Sequence, residues 1–273
     1  MGSGAAAQRG VLRGAAELLR GVVDLFLPND CLLCGALAGS APPGLCSTCR
    51  SRIVRVGKLG CPRCGAAESS GSACSRCSEG PLAFSRVVTA GKYSGALREM
   101  ILALKFGGLV AMARPLAWLL EEAVREAGLH EGVTTVTPVP LHAARRRARG
   151  FNQAAQISAE LAPALGLRSD TLGLERWRET PPQARAPHAR RRDQVRNAFR
   201  VRETTAKRLV LWAVRRLRLS SAIDAYWGDG RRGERVLLVD DVITTGATAH
   251  ECARVLLLSG VDEVRVAAVA TAT

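Results

Sequence analysis

Residues 236–248 read Val-Leu-Leu-Val-Asp-Asp-Val-Ile-Thr-Thr-Gly-Ala-Thr, and few stretches leave so little choice of fold. Four apolar aliphatic residues, Val236 to Val239, end abruptly on two carboxylates, Asp240 and Asp241. A Thr/Gly turn follows, and then Cys252, Val255, Leu256 and Ser259 recur at three- and four-residue steps. Such a pattern describes a buried strand, a polar turn and the start of a helix. In open α/β sheets, ligands sit beyond the carboxyl ends of the strands, where a turn of this kind lies. The helix start presents unpaired N–H groups and the positive end of a dipole, which suit a phosphate. Gly246 lets the backbone come close, and Thr244, Thr245 and Thr248 add hydroxyls. Carboxylates repel phosphate but accept hydrogen bonds from sugar hydroxyls, so the turn reads as a site for a phosphorylated sugar.

Competing readings are weaker. Asp or Thr at a strand-to-helix junction can be a simple helix cap. A Walker B strand also ends in acidic residues, but no G-x-x-x-x-G-K-[ST] occurs in the chain. Gly228-Asp229-Gly230-Arg231-Arg232-Gly233 has the spacing of a dinucleotide fingerprint but precedes the strand instead of following it.

The 273 residues allow one good-sized core and a small accessory module. Aromatic residues make up only 4%, so that core must be built from Ala, Val and Leu. No apolar run reaches the ~18–20 residues of a membrane span. Near the N-terminus, Arg13, Glu17, Arg20 and Asp24 interrupt what would otherwise resemble the apolar region of a signal peptide. Leu12, Ala16, Leu19, Val23 and Phe26 trace a helical stripe instead, so residues 1–27 read as an amphipathic helix, and the expected location is cytoplasmic. The net charge of +15 is uneven: residues 141–202 hold 14 Arg against 5 acids. That concentration suits an anionic partner such as pyrophosphate or nucleic acid, or else forms a solvated Arg-rich face.

Eight of the nine cysteines form four C-x-x-C pairs: Cys31 and Cys34, Cys46 and Cys49, Cys61 and Cys64, Cys74 and Cys77. A C-x-x-C knuckle places two thiolates on one side of a tight turn, and two knuckles complete a tetrahedral S₄ site. Two structural Zn²⁺ ions are therefore expected. A disulfide framework would call for export, and a thioredoxin-like site needs only one pair. Pairing within each consecutive set is the local expectation, although spacing alone also permits crossed pairing. Cys252 reads as a small core residue.

Beyond Pro81 the composition changes. Residues 86–93 read as a strand, and Ser94 caps a helix carrying Leu97, Ile101 and Leu104. Lys105-Phe106-Gly107-Gly108 ends it, with Lys105 placed either to satisfy the last helical carbonyls or to meet a phosphate. A second helix is expected from about Met112 to Ala127. Residues 135–140 form a short strand ending in a rigid Pro turn, and Asn152-Gln153 opens a helix with Ile157, Leu161 and Leu165 on its core face.

The stretch 236–248 resembles the ribose-phosphate motif of type I phosphoribosyltransferases, which bind 5-phosphoribosyl-1-pyrophosphate (PRPP). The resemblance narrows to the ComF (GntX-like) family through Pro138-Val139-Pro140-Leu141-His142, the arginines after it, and Arg149-Gly150-Phe151-Asn152-Gln153-Ala154. Thr180-Pro181-Pro182-Gln183, Arg190-Arg191-Arg192 and Val195-Arg196-Asn197-Ala198-Phe199 share it. It implies a mostly parallel α/β sheet with flanking helices over residues 81–273, behind a double zinc ribbon at 28–80. It further implies that Asp240 and Asp241 hold the ribose, that residues 244–248 (Thr244, Thr245, Gly246, Ala247, Thr248) hold the 5′-phosphate, and that Mg²⁺ accompanies PRPP. Pro138 and Val139 belong to the loop facing pyrophosphate. Arg190, Arg191 and Arg192 lie in a hood that closes over the substrate, and Arg149 and Lys105 are further candidates for the pyrophosphate. Single-stranded DNA and proteins of DNA uptake and recombination are the implied partners. The chain departs from the family in its long link at residues 202–235, which reads either as an extra amphipathic helix or as a basic, aromatic surface for single strands. No histidine stands out as a general base; His142, His188 and His250 are candidates by type alone.

Overall fold

The computed structural model describes residues 30–38, 44–56, 61, 63–65, 74, 77, 80–170, 173–179, 195–201 and 233–272. The expected N-terminal helix, Arg190 to Arg192, His188 and nearly all of the 202–235 insertion lie outside these residues. The chain divides into two compact units, Met1–Ser51 and Arg52–Thr273.

Among the described residues of the smaller unit, the buried ones are mostly its cysteines. Cys31, Ala38, Leu45, Cys46 and Cys49 are buried, an Asp30–Leu37 bridge closes the first knuckle, and α1 (Ser47–Ser51) follows the second.

The larger unit is built on a five-stranded sheet in the order β1-β7-β6-β2-β3, with every pairing parallel. Its strands are β1 (Val87–Lys92), β2 (Thr135–Pro138), β3 (Arg168–Ser169), β6 (Arg235–Ile243) and β7 (Glu263–Thr271). Its helices are α2 (Gly95–Phe106), α3 (Ala113–Glu126), α4 (Ala143–Arg149), α5 (Gln153–Ala164) and α6 (Ala247–Leu258). A 3₁₀ turn, Val110–Met112, leads into α3. Side chains alternate across a strand, and a parallel sheet needs both faces covered. On β6, Val236 and Leu238 pack with Cys252, Ala253 and Leu256 of α6. Leu237 and Val239, equally buried, point to the opposite face, where α5 lies against β2 and β6 and α3 against β1 and β7. Leu97, Ile101 and Leu104 of α2 and Ile157 and Leu161 of α5 are fully buried, as their periodicity requires. Ser94 does stand at the N-cap of α2, but its side chain makes no capping hydrogen bond.

A two-stranded antiparallel ribbon, β4 (Leu174–Arg176) and β5 (Phe199–Val201), packs beside α6. Glu251 of α6 accepts the N–H of Asn197 at 2.8 Å and pairs with Arg254 at 2.7 Å. Asn197 has φ of 56°, the left-handed region that Asn tolerates better than most residues. Despite the cost of burial, Arg254 and the Asn197 N–H hold the Glu251 carboxyl below its ordinary range.

Candidate functional site

The connection from β2 runs outward to β3, whereas that from β6 runs the other way to β7. The crevice between the carboxyl ends of β2 and β6 is therefore a topological switch point, where open α/β sheets bind ligands. Pro138 is in register with Val239, and the Val139 N–H donates to the Val239 carbonyl at 2.8 Å. Asn152, the N-cap of α5, donates its amide to the Val139 carbonyl at 3.0 Å and accepts from the Ala154 N–H. The Pro138–Val139 turn is thereby fixed beside the acidic pair.

Strand alternation sends the two carboxylates to different sides. Asp241 is buried and meets the Lys105 ammonium at 2.9 Å, an ion contact without hydrogen-bond alignment. Lys105 is thereby paired with Asp241 at the mouth of the crevice. Asp240 shares the strand side of Leu238, toward α6 and the ribbon. Its Oδ1 accepts the Asp241 N–H at 2.9 Å. Burial, reinforced by the neighbouring Asp241, pushes the Asp240 carboxyl up to about 8; Lys105, the Asp241 N–H and Arg176 act in the opposite sense. Arg176, on β4 and over the Phe199 ring at 5.3 Å, is a neighbour that sequence reasoning missed. No local pattern could have brought it to Asp240, because the approach depends on the ribbon packing against α6.

Beyond Asp240, Gly246 is the N-cap of α6 with φ of 76°, and Thr245 Oγ1 accepts the Ala247 N–H at 3.4 Å. Thr244, Gly246, Ala247 and Thr248 line a recess together with Asp240. Of the expected sugar and phosphate residues, Asp240, Thr244, Gly246, Ala247 and Thr248 share this recess, whereas Asp241 and Thr245 do not line it. On the Asp241 side, Lys105, Arg145 and Arg149 line a second cleft with Phe106, Gly108, Ala148 and Phe151. Arg149 donates to Gln153 Oε1 at 2.6 Å and stacks over Phe106 at 5.2 Å. Residues 145–149, which follow the Pro138–His142 motif, form most of α4, with His142 Nδ1 accepting the Ala144 N–H. His250 Nδ1 accepts the Ala83 N–H at 3.0 Å. Both histidines are therefore engaged with backbone, and His188 lies outside the described residues.

The cysteines gather into two quartets, Cys31, Cys34, Cys46, Cys49 and Cys61, Cys64, Cys74, Cys77, each with its sulfurs within 4.8 Å of one another. This is pairing within consecutive sets, and it closes the crossed alternative. Across the knuckles, Cys64 and Cys74 bring their Sγ atoms to 3.4 Å, and Cys34 and Cys46, like Cys61 and Cys77, to 3.7 Å. A disulfide would require about 2.05 Å. Tetrahedral Zn–S bonds of about 2.3 Å place sulfurs about 3.8 Å apart, so the quartets fit Zn²⁺. Gly35 and Gly65, at φ of 74° and 72°, donate to the carbonyls of Cys31 and Cys61 at 2.8 Å and close the two knuckles. In the first quartet, burial and the neighbouring thiols push Cys49 up to about 12. Cys31 lies at about 6: burial opposes ionisation there, but the backbone N–H groups around it prevail. A central dication would stabilise all four as thiolates.

Residues 22–78 match the double zinc ribbon domain family. With the parallel sheet and its switch-point site, this defines the class: a double zinc ribbon followed by a mostly parallel α/β domain with flanking helices. The chain is 31% identical over 246 residues to the DNA utilization protein YhgH of Escherichia coli, covering 89% of this chain and 96% of that protein. It is 30% identical over 248 residues to competence protein F of Haemophilus influenzae, covering 88% and 96%. Against competence protein ComFC of Streptococcus pneumoniae the figures are 26% over 252 residues, covering 86% and 96%. The chain belongs to the ComF (GntX-like) family. No helix among the described residues is long and apolar enough to cross a membrane.

Proposed function

We propose that this chain binds PRPP at the β2–β6 crevice and acts in DNA uptake or utilisation, as the names of its relatives suggest, with transfer of phosphoribose as its chemistry. One observation carries the reading: Asp240, Asp241 and the Gly246 turn follow one another on one continuous strand-to-helix junction at the switch point. The N–H groups at the start of α6 suit a 5′-phosphate, and the carboxylates suit the two ribose hydroxyls. Hydroxyls donate hydrogen bonds, so Asp241 would exchange its contact with Lys105 for the sugar and release that ammonium toward the anionic end of the substrate.

As pyrophosphate leaves C1, positive charge develops on C1 and the ring oxygen. An ionised carboxylate near the sugar would favour that charge, and anchoring the remote phosphate would hold C1 in place. The oxygen donors of Asp240 and Asp241 are of the hard kind that Mg²⁺ accepts, and Mg²⁺ would supply neutralisation of the pyrophosphate. Arg149, with Lys105, supports the same leaving group from the protein side. Arg190, Arg191 and Arg192 would add further cationic donors to the same group. The test is calorimetric titration with PRPP, with and without Mg²⁺, followed by a screen for pyrophosphate release with nucleobases and amines. Binding without release for any acceptor would support a PRPP-sensing role in DNA handling over transfer.

A further inference from the structure

The Gly246 turn does not rest on the sheet alone. Phe84, only 2% exposed, packs in one cluster with Ile243 of β6 and with Ala247 and Ala249 of α6. Its Cζ lies 3.6 Å from the position a Cβ on Gly246 would take, and Ile243 Cδ1 lies 3.8 Å from the same point. The ring therefore fills the space against the N-cap of α6, where the small residues Gly246, Ala247 and Ala249 leave room for it. One residue earlier, the Ala83 N–H donates to His250 Nδ1 at 3.0 Å, and the His250 N–H donates to the Gly246 carbonyl at 2.8 Å. Ala83 and Phe84 thus hold the first turn of α6 by a hydrogen bond and a packed ring.

This segment continues directly from the second cysteine quartet. Cys77 is the last of the four cysteines, and Phe84 stands seven residues beyond it. The first knuckle of the quartet meets the same region: a Cβ on Gly65 would press on Val87 Cγ1 at 3.0 Å, and the Gly65 carbonyl accepts from Thr271 Oγ1 at 3.4 Å. Thr271 is in register with Ile243, and the Ala272 N–H donates to the Ile243 carbonyl at 3.0 Å. The quartet is therefore tied to the Gly246 turn twice, through Ala83 and Phe84 after Cys77 and through Thr271 and Ile243 beside Gly65. The first quartet belongs to the other compact unit.

Four thiolates on one metal fix the chain segments that carry them, and loss of the metal frees those segments together. A turn that must be ordered anew each time a ligand arrives binds it more weakly. We propose that the second zinc quartet is a control element for the phosphate turn: metal-loaded, it keeps Phe84 under Gly246 and Ala83 on His250, and its unloading releases both. Phe84 is then a positioning residue, acting through the turn without touching substrate. The consequence for affinity rests on the PRPP reading, whereas the hold on α6 does not.

Full-length Cys77→Ser would be compared with Cys34→Ser, a ligand change in the first quartet, with metal analysis verifying that each loses one zinc ion and keeps the other. Residue-resolved hydrogen exchange reads the Ala83 and His250 amides, and the Leu237 and Leu238 amides of β6 report on the sheet. Cys77→Ser should speed exchange at Ala83 and His250 about ten-fold relative to β6, and Cys34→Ser should leave it unchanged. Cys77→His, which offers zinc another ligand, should restore protection. Phe84→Ala should retain both zinc ions yet speed the His250 amide, and Phe84→Met, a flexible gap-filler, should restore it. With Mg²⁺, calorimetric affinity for PRPP should fall about ten-fold in Cys77→Ser and Phe84→Ala and return in Cys77→His and Phe84→Met. Unchanged Ala83 and His250 amides in Cys77→Ser, or equal acceleration in Cys34→Ser, overturns the proposal. Should Cys77→Ser loosen β6 equally, Phe84→Ala decides, and an unmoved His250 amide there overturns it. Wild type that fails to bind PRPP sinks the PRPP reading and leaves the exchange result standing. PRPP binding that is equal in wild type, Cys77→Ser and Phe84→Ala sinks the control of affinity alone.

Discussion

Asp240 concentrates the electrostatic tension of the site in one carboxyl group. Its folded value of about 8 lies far above the ordinary 3.8, because burial and Asp241 disfavour its charge. Between those two values the folded chain keeps a proton that the unfolded chain has lost, so stability falls as pH rises from about 4 to about 8. Asp240→Asn removes the penalty. It should stabilise the protein by about 1–3 kcal/mol at pH 8–9, once partial access of water is allowed for. Urea titrations at pH 6 and pH 8.5 check this: the gap between variant and wild type should widen with pH. Gly246 makes a different demand. A Cβ there would meet Phe84 Cζ at an ordinary 3.6 Å, so space is no obstacle, but φ of 76° is. Gly246→Ala should cost about 1–2 kcal/mol through backbone strain and weaken PRPP binding by displacing the phosphate turn, measured by melting and titration.

At the scale of elements, local patterns were legible wherever the period was clean. The Val236–Val239 run became β6, and the 3.6-residue patterns after Ser94 and Asn152 became α2 and α5. The motif residues converge because strand, turn and helix are contiguous in sequence. Contacts between distant segments were not legible. Lys105 finds Asp241 only because α2 ends beside β6, and a charged residue near a helix end reads equally well as a cap. The β4–β5 ribbon is three residues to a strand, too short for a period, and its junction with α6 rests on Glu251. Glu251→Ala would leave the Asn197 N–H without its acceptor and should cost about 1–3 kcal/mol. Glu251→Gln, which keeps an acceptor, should cost less. Hydrogen exchange of the Val195–Val201 amides provides the readout, with faster exchange in the alanine variant.

At the scale of the molecule, the two metal sites carry different loads. Cys61 and Cys64 lie in the same compact unit as the sheet. Gly65, which closes their knuckle, accepts from Thr271 Oγ1 of β7 at 3.4 Å, and a Cβ there would press on Val87 of β1 at 3.0 Å. The first quartet sits in the smaller unit. Cys64→Ser should therefore lower the melting temperature of the α/β unit by about 4–8 °C, equivalent to about 2 kcal/mol, and Cys34→Ser should leave that transition nearly unchanged. Metal analysis of the pure protein should find two zinc ions. The C-x-x-C spacing makes these sites legible in the sequence, since four ligands in two knuckles admit few other arrangements. Which quartet supports the sheet depends on packing between distant segments, which spacing does not encode.

Every functional reading above depends on the β2–β6 crevice holding PRPP through its acidic pair. Titration calorimetry of wild type and of Asp240→Asn/Asp241→Asn, with PRPP and Mg²⁺, tests this most directly. Saturable, Mg²⁺-dependent binding is expected for the wild type, with its loss in a variant that remains folded. No binding by the wild type, or undiminished affinity in the variant, would contradict it.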